Sequence, residues 1–427
     1  MTIHVVKEGE TLASIAGQHG ISEALLSREN QVPPSGALAV GQTLVVVQPT
    51  QLHTVQRGES VYSIAKQYGI SVNTLYQNNY FLHGQPAIMP GETLVIFQEG
   101  KKLGTAGING YAYPFVDEAL LDSVLPYMTY LTPFTYGISP EGDLLPLNDA
   151  PLLSAAGRYG TKTFMHLSTL TEEGGFDSER AVTVLTDEAV QQKLIRQVEA
   201  TLRAKRYYGL DVDFEFVPGE QRQAYADFIT ALRQELNPLG YPVVVALAPK
   251  SGADQKGLLY EAHDYALLGA AANAVLLMTY EWGFTYGPPM AVAPLPEVQK
   301  VLAYALTVIP PEKIFLGMPN YGYDWPLPFE KGVTRAQSIS QEQAFALAVQ
   351  YGVEIQYDET AQAPFFHYTD AAGKMHEVWF EDARSADVKL RLIAQNSLQG
   401  AGFWNLMRPA PQTCLVLSGL YDIERLP

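Results

Sequence analysis

The chain has 427 residues and a single cysteine, Cys414. One thiol forms no intrachain disulfide and no cysteine-ligated metal cluster, so the fold must rest on its core. Cys414 itself reads as a small buried hydrophobe. Positive charge is scarce too: 28 Lys and Arg against 45 Asp and Glu leave a net charge of −17. With no basic stretch standing out, nucleic acid and anionic membrane are poor partners. No run reaches the roughly 20 apolar residues that a membrane span requires. The N-terminus, MTIHVVKEGETLASIAG, has no basic segment leading into an apolar one, so no secretory signal is expected. What is present is a globular composition, 47% hydrophobic, in a chain long enough for a large core plus accessory modules.

The first hundred residues repeat. His4-Val-Val-Lys-Glu-Gly-Glu10 matches His53-Thr-Val-Gln-Arg-Gly-Glu59, Ser14-Ile-Ala16 matches Ser63-Ile-Ala65, and Asn30 matches Asn79. Each copy opens on a short β-branched strand. A helix follows with Leu12, Ile15 and Ala16 (or Val61, Ile64 and Ala65) on one stripe. Gly20 and Gly69 suit the end of that helix, and Ser22 and Ser71 suit the N-cap of the next. Ile21 with Leu26, and Ile70 with Leu75, have the spacing of a hydrophobic staple. A closing strand completes β-α-α-β. The units span 1–48 and 51–98, and 49–51 and 98–102 read as linkers. Both copies resemble the LysM module across their length, which implies binding to glycans rich in N-acetylglucosamine.

From 104 to 427 strands alternate with amphipathic helices, the pattern of an α/β chain folded as a (β/α)₈ TIM barrel. Candidate strands are 107–111, 130–136, 162–167, 209–216, 243–248, 274–280, 314–319 and 400–405, with helices such as 188–205 and 220–236 between them. The gap from about 325 to 385 exceeds one helix and contains strand-like pieces, so it reads as a small α+β insertion between strands seven and eight.

The fourth candidate strand reads Gly209-Leu-Asp-Val-Asp-Phe-Glu-Phe216. Side chains alternate on a strand, so Asp211, Asp213 and Glu215 line one face, roughly 6–7 Å apart in sequence along it. Carboxylates in a row without Lys or Arg raise at least one pKa, as a general acid near neutral pH requires. An exposed sheet face or an oxygen-rich cation site would also hold acids. Solvated faces usually mix in Thr, Lys and Arg, however, and no His-x-x-x-His accompanies the series.

Tyr208-Gly-Leu-Asp211-Val-Asp213-Phe-Glu215 resembles the Asp-x-x-Asp-x-Asp-x-Glu motif of family 18 glycoside hydrolases, with Tyr208 in place of the first Asp. That resemblance implies Glu215 as general acid/base, Asp213 as the group orienting a 2-acetamido substituent, and Asp211 as its support. Met278-Thr-Tyr280-Glu281 resembles the family's Met-x-Tyr-Asp. It implies that the Tyr280 hydroxyl binds the acetamide oxygen and that Glu281 contacts substrate. Trp404 matches the family's sugar-floor Trp. Tyr111, Asn109, Tyr136, Tyr321 and Trp325 fall at candidate strand ends, and Tyr111, Asn109 and Tyr321 are taken as substrate contacts. Glu281 and Asp324 remain candidates for a conventional nucleophile. His166 is read as structural or peripheral, and for Glu381 and Asp382 the choice is between reaching the cleft and a salt bridge to Arg384 or Lys389.

The whole combination resembles the family's spore cortex-lytic branch. This implies a retaining, substrate-assisted N-acetylglucosaminidase acting on cortex peptidoglycan fragments during germination, made in the mother cell and placed in the outer spore layers. A chitinase or general cell-wall glucosaminidase, and a silent glycan-binding coat protein, are the alternatives. No cofactor and no metal is expected, and the partner is a peptidoglycan or other N-acetylglucosamine-containing glycan bound by a monomer.

Overall fold

A computed structural model describes residues 1–33, 36–171 and 174–426. In the first repeat, strands Thr2–Val5 and Thr43–Val46 pair antiparallel and enclose helices Leu12–His19 and Glu23–Glu29. The second copies this with strands Pro49–Thr54 and Thr93–Gln98 around helices Val61–Tyr68 and Val72–Gln77. Thr11 and Ser60 cap the first helices, with Ser14 and Ser63 capping back. Gly20 and Gly69 end them at φ 68°, a left-handed conformation that glycine adopts without strain. Asn30 and Asn79 have a role that the repeat alignment does not reveal. Each amide spans from the second helix to the closing strand: Asn79 donates to the Leu75 and Val95 carbonyls and accepts from the Val95 N–H. Asn30 does the same at Leu26 and Val45. Residues 49–51 are strand and not linker, because the partner strand runs on to Gln98 and offers them backbone partners.

Eight parallel strands then close a barrel: Gly104–Ala112, Tyr130–Pro133, Lys162–Ser168, Gly209–Asp213, Val243–Leu247, Ala274–Leu277, Ile314–Pro319 and Gly400–Trp404, the last pairing with the first. At that seam a Cβ on Gly400 would lie 1.7 Å from the Gly107 carbonyl oxygen, so only glycine allows the strands to meet. Tyr130, Phe164, Val244, Ala274 and Phe315 pack inside the barrel, and Tyr208 joins them, its ring 5.5 Å from that of Phe164. The position where the family motif carries a carboxyl is thus aromatic packing.

An antiparallel five-stranded sheet and the helix Gln341–Tyr351 lie between strands seven and eight. The sheet's first strand, Gly322–Pro326, starts ahead of the 325 boundary read from the sequence. The repeats dock on the barrel. Thr43 and Gln412 exchange two hydrogen bonds, Arg384 donates to the Gly41 carbonyl, and Tyr80 lies in one continuous apolar cluster with Tyr127 and Cys414.

Candidate active site

Strand four sits between strands three and five, with Asp211 beside His166 and Asp213 beside Ser168. Leu210, Val212 and Phe214 point outward into the main apolar cluster, so Asp211 and Asp213 face the barrel interior. The strand is shorter than its sequence pattern, ending at Asp213 and not at 216. Beyond it the chain is held by side chains: the Tyr225 hydroxyl receives the Phe214 N–H, and His263 bridges two strand ends. His263 accepts from the Ala248 N–H at Nδ1, which leaves Nε2–H to donate to the Phe214 carbonyl at 3.0 Å. Burial pulls its pKa down to about 4, which keeps that neutral form. Phe216 then turns at φ 55°.

The three acids occupy different depths. Asp211 is fully buried and accepts from the Tyr111 hydroxyl at 2.6 Å, and burial pushes its pKa up to about 6. Asp213 is raised well above the usual carboxylate range by burial and by the charges of Glu215 and Asp211. Glu215, half-buried at the rim, is pushed up to about 7 by burial and by the Glu281 charge. One oxygen each of Asp211 and Asp213 has no hydrogen-bond partner among the described residues. Such a group is costly unless it is protonated or waits for a ligand.

Strand six stops at Leu277, earlier than its pattern, and the backbone tightens through Thr279 and Tyr280. The Thr279 hydroxyl pins this turn to the Gly317 carbonyl. Tyr280 is buried, and burial and then the Asp213 charge lift its pKa, so its hydroxyl remains a donor. Glu281 follows at φ 68°, a left-handed conformation unusual for a residue with a Cβ. The residue is exposed, yet its carboxylate accepts from Tyr321 and, at 3.0 Å, from Tyr323.

These side chains enclose a cavity of about 260 Å³, with Asp213, Glu215, Tyr280 and Glu281 on one side and Tyr111 and Trp404 on another. A second cavity of about 540 Å³ shares the Tyr280–Glu281 wall and runs toward Asp254 and Tyr260. Several expectations need correction. Asn109 does not reach the cavity lining; its side chain accepts from Thr132 inside the barrel, because strand one continues three residues past it. Tyr321 is buried against Glu281 and does not line the cavity. Tyr136 donates to Asp149, and Trp325 donates to the Gly287 carbonyl. Asp324 accepts from Tyr368 and pairs with His376 in the inserted sheet, which leaves it outside the lining. Glu381 pairs with buried Lys389, and Asp382 caps a helix and pairs with Arg384.

His166, expected to be structural or peripheral, lines the cavity. It lies 3.8 Å from Asp213 with its Nδ1 2.6 Å from the Thr135 hydroxyl, and burial lowers its pKa to about 3. It is therefore neutral beside the acids. Phe134 and Tyr113, which no sequence motif marks, both pack on Trp404. Among the described residues no cluster of three or more His, Cys, Asp or Glu could hold a metal ion. The arrangement offers one proton at the rim near neutral pH, a phenol donor, and an indole wall against which a pyranose face can pack.

Comparison with known proteins agrees with this architecture. The model of Glycosyl hydrolases family 18 matches residues 161–408, and the LysM domain model matches 4–47 and 53–97. The chain is 39% identical to the cortical fragment-lytic enzyme of Bacillus subtilis (strain 168), covering 100% of this chain and 99% of that one. In structure it is similar to the spore cortex-lytic enzyme SleL of Bacillus cereus, with a TM-score of 0.84, 33% identity, and coverage of 99% and 98%. A chitinase from Chromobacterium violaceum ATCC 12472 is also similar in structure, with a TM-score of 0.68 and 26% identity over 74% of this chain and 99% of that one. The chain is a glycoside hydrolase with two LysM domains, and it belongs to glycosyl hydrolases family 18.

Proposed function

We propose that this protein is a peptidoglycan N-acetylglucosaminidase that hydrolyses the bond following N-acetylglucosamine in spore cortex fragments during germination. The observation that carries the reaction type is the pairing of a rim carboxyl poised near pH 7, Glu215, with the buried carboxyl of Asp213 and the Tyr280 hydroxyl around one cavity. The substrate class is supported by two relatives: a cortical fragment-lytic enzyme 39% identical over the whole chain, and a spore cortex-lytic enzyme of the same fold. The LysM domains hold glycan near the barrel, and the protein resides in the outer spore layers.

Protonated Glu215 gives its proton to the bridging oxygen as the C1–O bond breaks. The substrate's acetamide carbonyl oxygen bonds C1 from the opposite face, and an oxazolinium ion forms. This attack is intramolecular, so it gains from proximity, and the family stands outside the two-carboxylate scheme. Asp213 accepts from the amide N–H through a carboxyl oxygen and orients the acetamide, with Asp211 beneath it held by Tyr111. Tyr280 donates to the acetamide oxygen and aligns it, while Trp404 forms the sugar floor. Glu215, now a carboxylate, takes a proton from the incoming water, which opens the ring with net retention. Glu281, tied to Tyr321 and Tyr323, acts as a substrate contact and as the charge that keeps Glu215 protonated.

A chitinase reading has the Chromobacterium structure behind it. Digesting purified cortex fragments, reducing the new ends with borohydride and weighing them by mass spectrometry separates the two. N-acetylglucosamine at the new reducing ends, with Glu215→Gln nearly inactive, is the expected outcome. Faster turnover of chitin oligomers than of cortex fragments favours the chitinase, and undiminished turnover by Glu215→Gln sinks the mechanism.

A further inference from the structure

His166 lines the cavity at the acids, yet the reaction leaves it idle. It is buried on strand three, beside Asp211 in the barrel register, and its Nε2 lies 3.8 Å from Asp213 Oδ2. Its neighbours fix the ring. Phe134 lies against it with centroids 4.5 Å apart, and Tyr111 meets it edge-on at 5.8 Å. Burial holds the ring neutral, so it carries one N–H and one lone pair. Which nitrogen holds the proton is decided at Thr135. The Thr135 hydroxyl lies 2.6 Å from Nδ1, 3.0 Å from the Ser168 hydroxyl, and 3.2 and 3.4 Å from the Tyr136 and His166 carbonyls. The carbonyls only accept, and the Ser168 hydroxyl is placed to accept. The Thr135 proton therefore points to them, and its oxygen is left for an imidazole N–H. That puts the His166 proton on Nδ1 and the lone pair on Nε2, facing Asp213.

Asp213 supplies the matching half. Its Oδ1 has no hydrogen-bond partner among the described residues. Burial, and after it the Glu215 and Asp211 charges, keep the carboxyl protonated. A protonated carboxyl has one O–H and one carbonyl oxygen. To receive the substrate amide N–H it must present the carbonyl oxygen and turn the O–H elsewhere. Toward the barrel interior the acceptors are His166 Nε2 and the Asp211 carboxyl, and Asp211 is already engaged by the Tyr111 hydroxyl.

We propose that His166 is a positioning residue for Asp213: Nε2 accepts the Asp213 O–H, Nδ1–H donates to Thr135, and the carboxyl is held with its carbonyl oxygen toward the substrate amide. The carboxyl closes the 3.8 Å gap by turning about its terminal torsion, which is soft. No proton changes owner in this step. His166 touches neither the substrate nor the leaving group and acts through Asp213. This role rests on the reading of the site as an N-acetylglucosaminidase in which Asp213 orients the acetamide.

Nitrogen NMR of the full chain, isotopically labelled at histidine, reads the tautomer directly, and the signal missing from His166→Phe assigns it among the eight histidines. The Nδ1–H form is expected in the unliganded chain, and a mixture with Nε2–H in Thr135→Val. Kinetics on N-acetylglucosamine oligomers give the second readout. His166→Phe keeps an aromatic ring but has no lone pair, so kcat is expected to fall at least about tenfold with KM little changed. His166→Gln, whose amide oxygen can stand where Nε2 stood, is expected to recover most of that loss. An Nε2–H form in the wild-type chain overturns the role of His166, even if every variant fails to fold. An unchanged kcat in His166→Phe overturns it too, and gives the Asp213 proton to Asp211. Equal losses in His166→Phe and His166→Gln reduce His166 to packing and overturn it as well. In these three cases hydrolysis still depends on Glu215, and the reading of the site stands. Hydrolysis that survives Glu215→Gln overturns that reading and the role of His166 with it.

Discussion

At the residue scale, the three acids of strand four differ because their surroundings differ. Asp211 has a phenol donor, Asp213 faces two like charges, and Glu215 meets the Glu281 charge at the rim. In this account Glu215 must be protonated to start the reaction, so kcat/KM falls as pH rises through about 7. Because the Glu281 charge raises Glu215, removing it lowers that pKa. Glu281→Gln should shift the basic limb of the pH–rate profile to lower pH, and an unmoved or upward-moved limb would contradict the coupling. The acids were legible in the sequence because period two on a strand fixes their common face. Asn109 misled for the complementary reason. Its place on strand one is legible, but its depth depends on how far that strand runs and how eight strands stagger, which no local pattern records. His166 and Phe134 come from neighbouring strands and meet Asp213 and Trp404 only when the barrel closes.

At the element scale, local chemistry decides where most pieces start and stop. The helix expected over 188–205 is Glu188–Lys205, begun by the Asp187 cap on the Ala189 and Val190 N–H groups. Strands four and six end sooner than their alternation, since alternation continues in the residues after the ladder has no partner left. The first LysM domain carries one element-level liability. Glu29, on its second helix, is 1% exposed, accepts from the Tyr80 N–H at 2.9 Å, and has its other oxygen without a partner among the described residues. Burial pushes its pKa from 4.5 up to about 8, so the folded chain keeps a proton that the unfolded chain releases. The corresponding stability is complete below pH 4.5 and is lost progressively as pH rises to about 8. Glu29→Gln is expected to leave the melting temperature nearly unchanged at pH 5 and to raise it at pH 9. The difference in stability is on the order of a few kcal/mol. A variant less stable than wild type at pH 9 would refute this.

At the scale of the whole molecule, the LysM domains are part of the packing and not beads on a string. The helix Pro411–Leu420 lies between barrel and repeats, with Gln412 bonded to Thr43, and Tyr80 shares its cluster with Cys414. Burial pushes the Cys414 thiol up to about 12, which keeps it inert. In the native full chain Cys414 should resist thiol reagents, and a chain lacking residues 1–98 should react at least about tenfold faster. Equal protection in both would mean that the repeats do not cover this helix. The sequence repeat declares two modules, but the docking surface is made of single residues far apart in the chain, which is why it was not legible there.

The central claim is that the nucleophile belongs to the substrate. Turnover of an N-acetylglucosamine oligomer is to be compared with that of its de-N-acetylated counterpart of equal length, at matched occupancy of the site. The account predicts that cleavage disappears when the acetamide is removed, while binding persists. Cleavage of the de-N-acetylated oligomer at a comparable kcat would contradict it and transfer the nucleophile to a protein carboxylate, with Glu281, the sequence candidate that lines the cavity, the first to test.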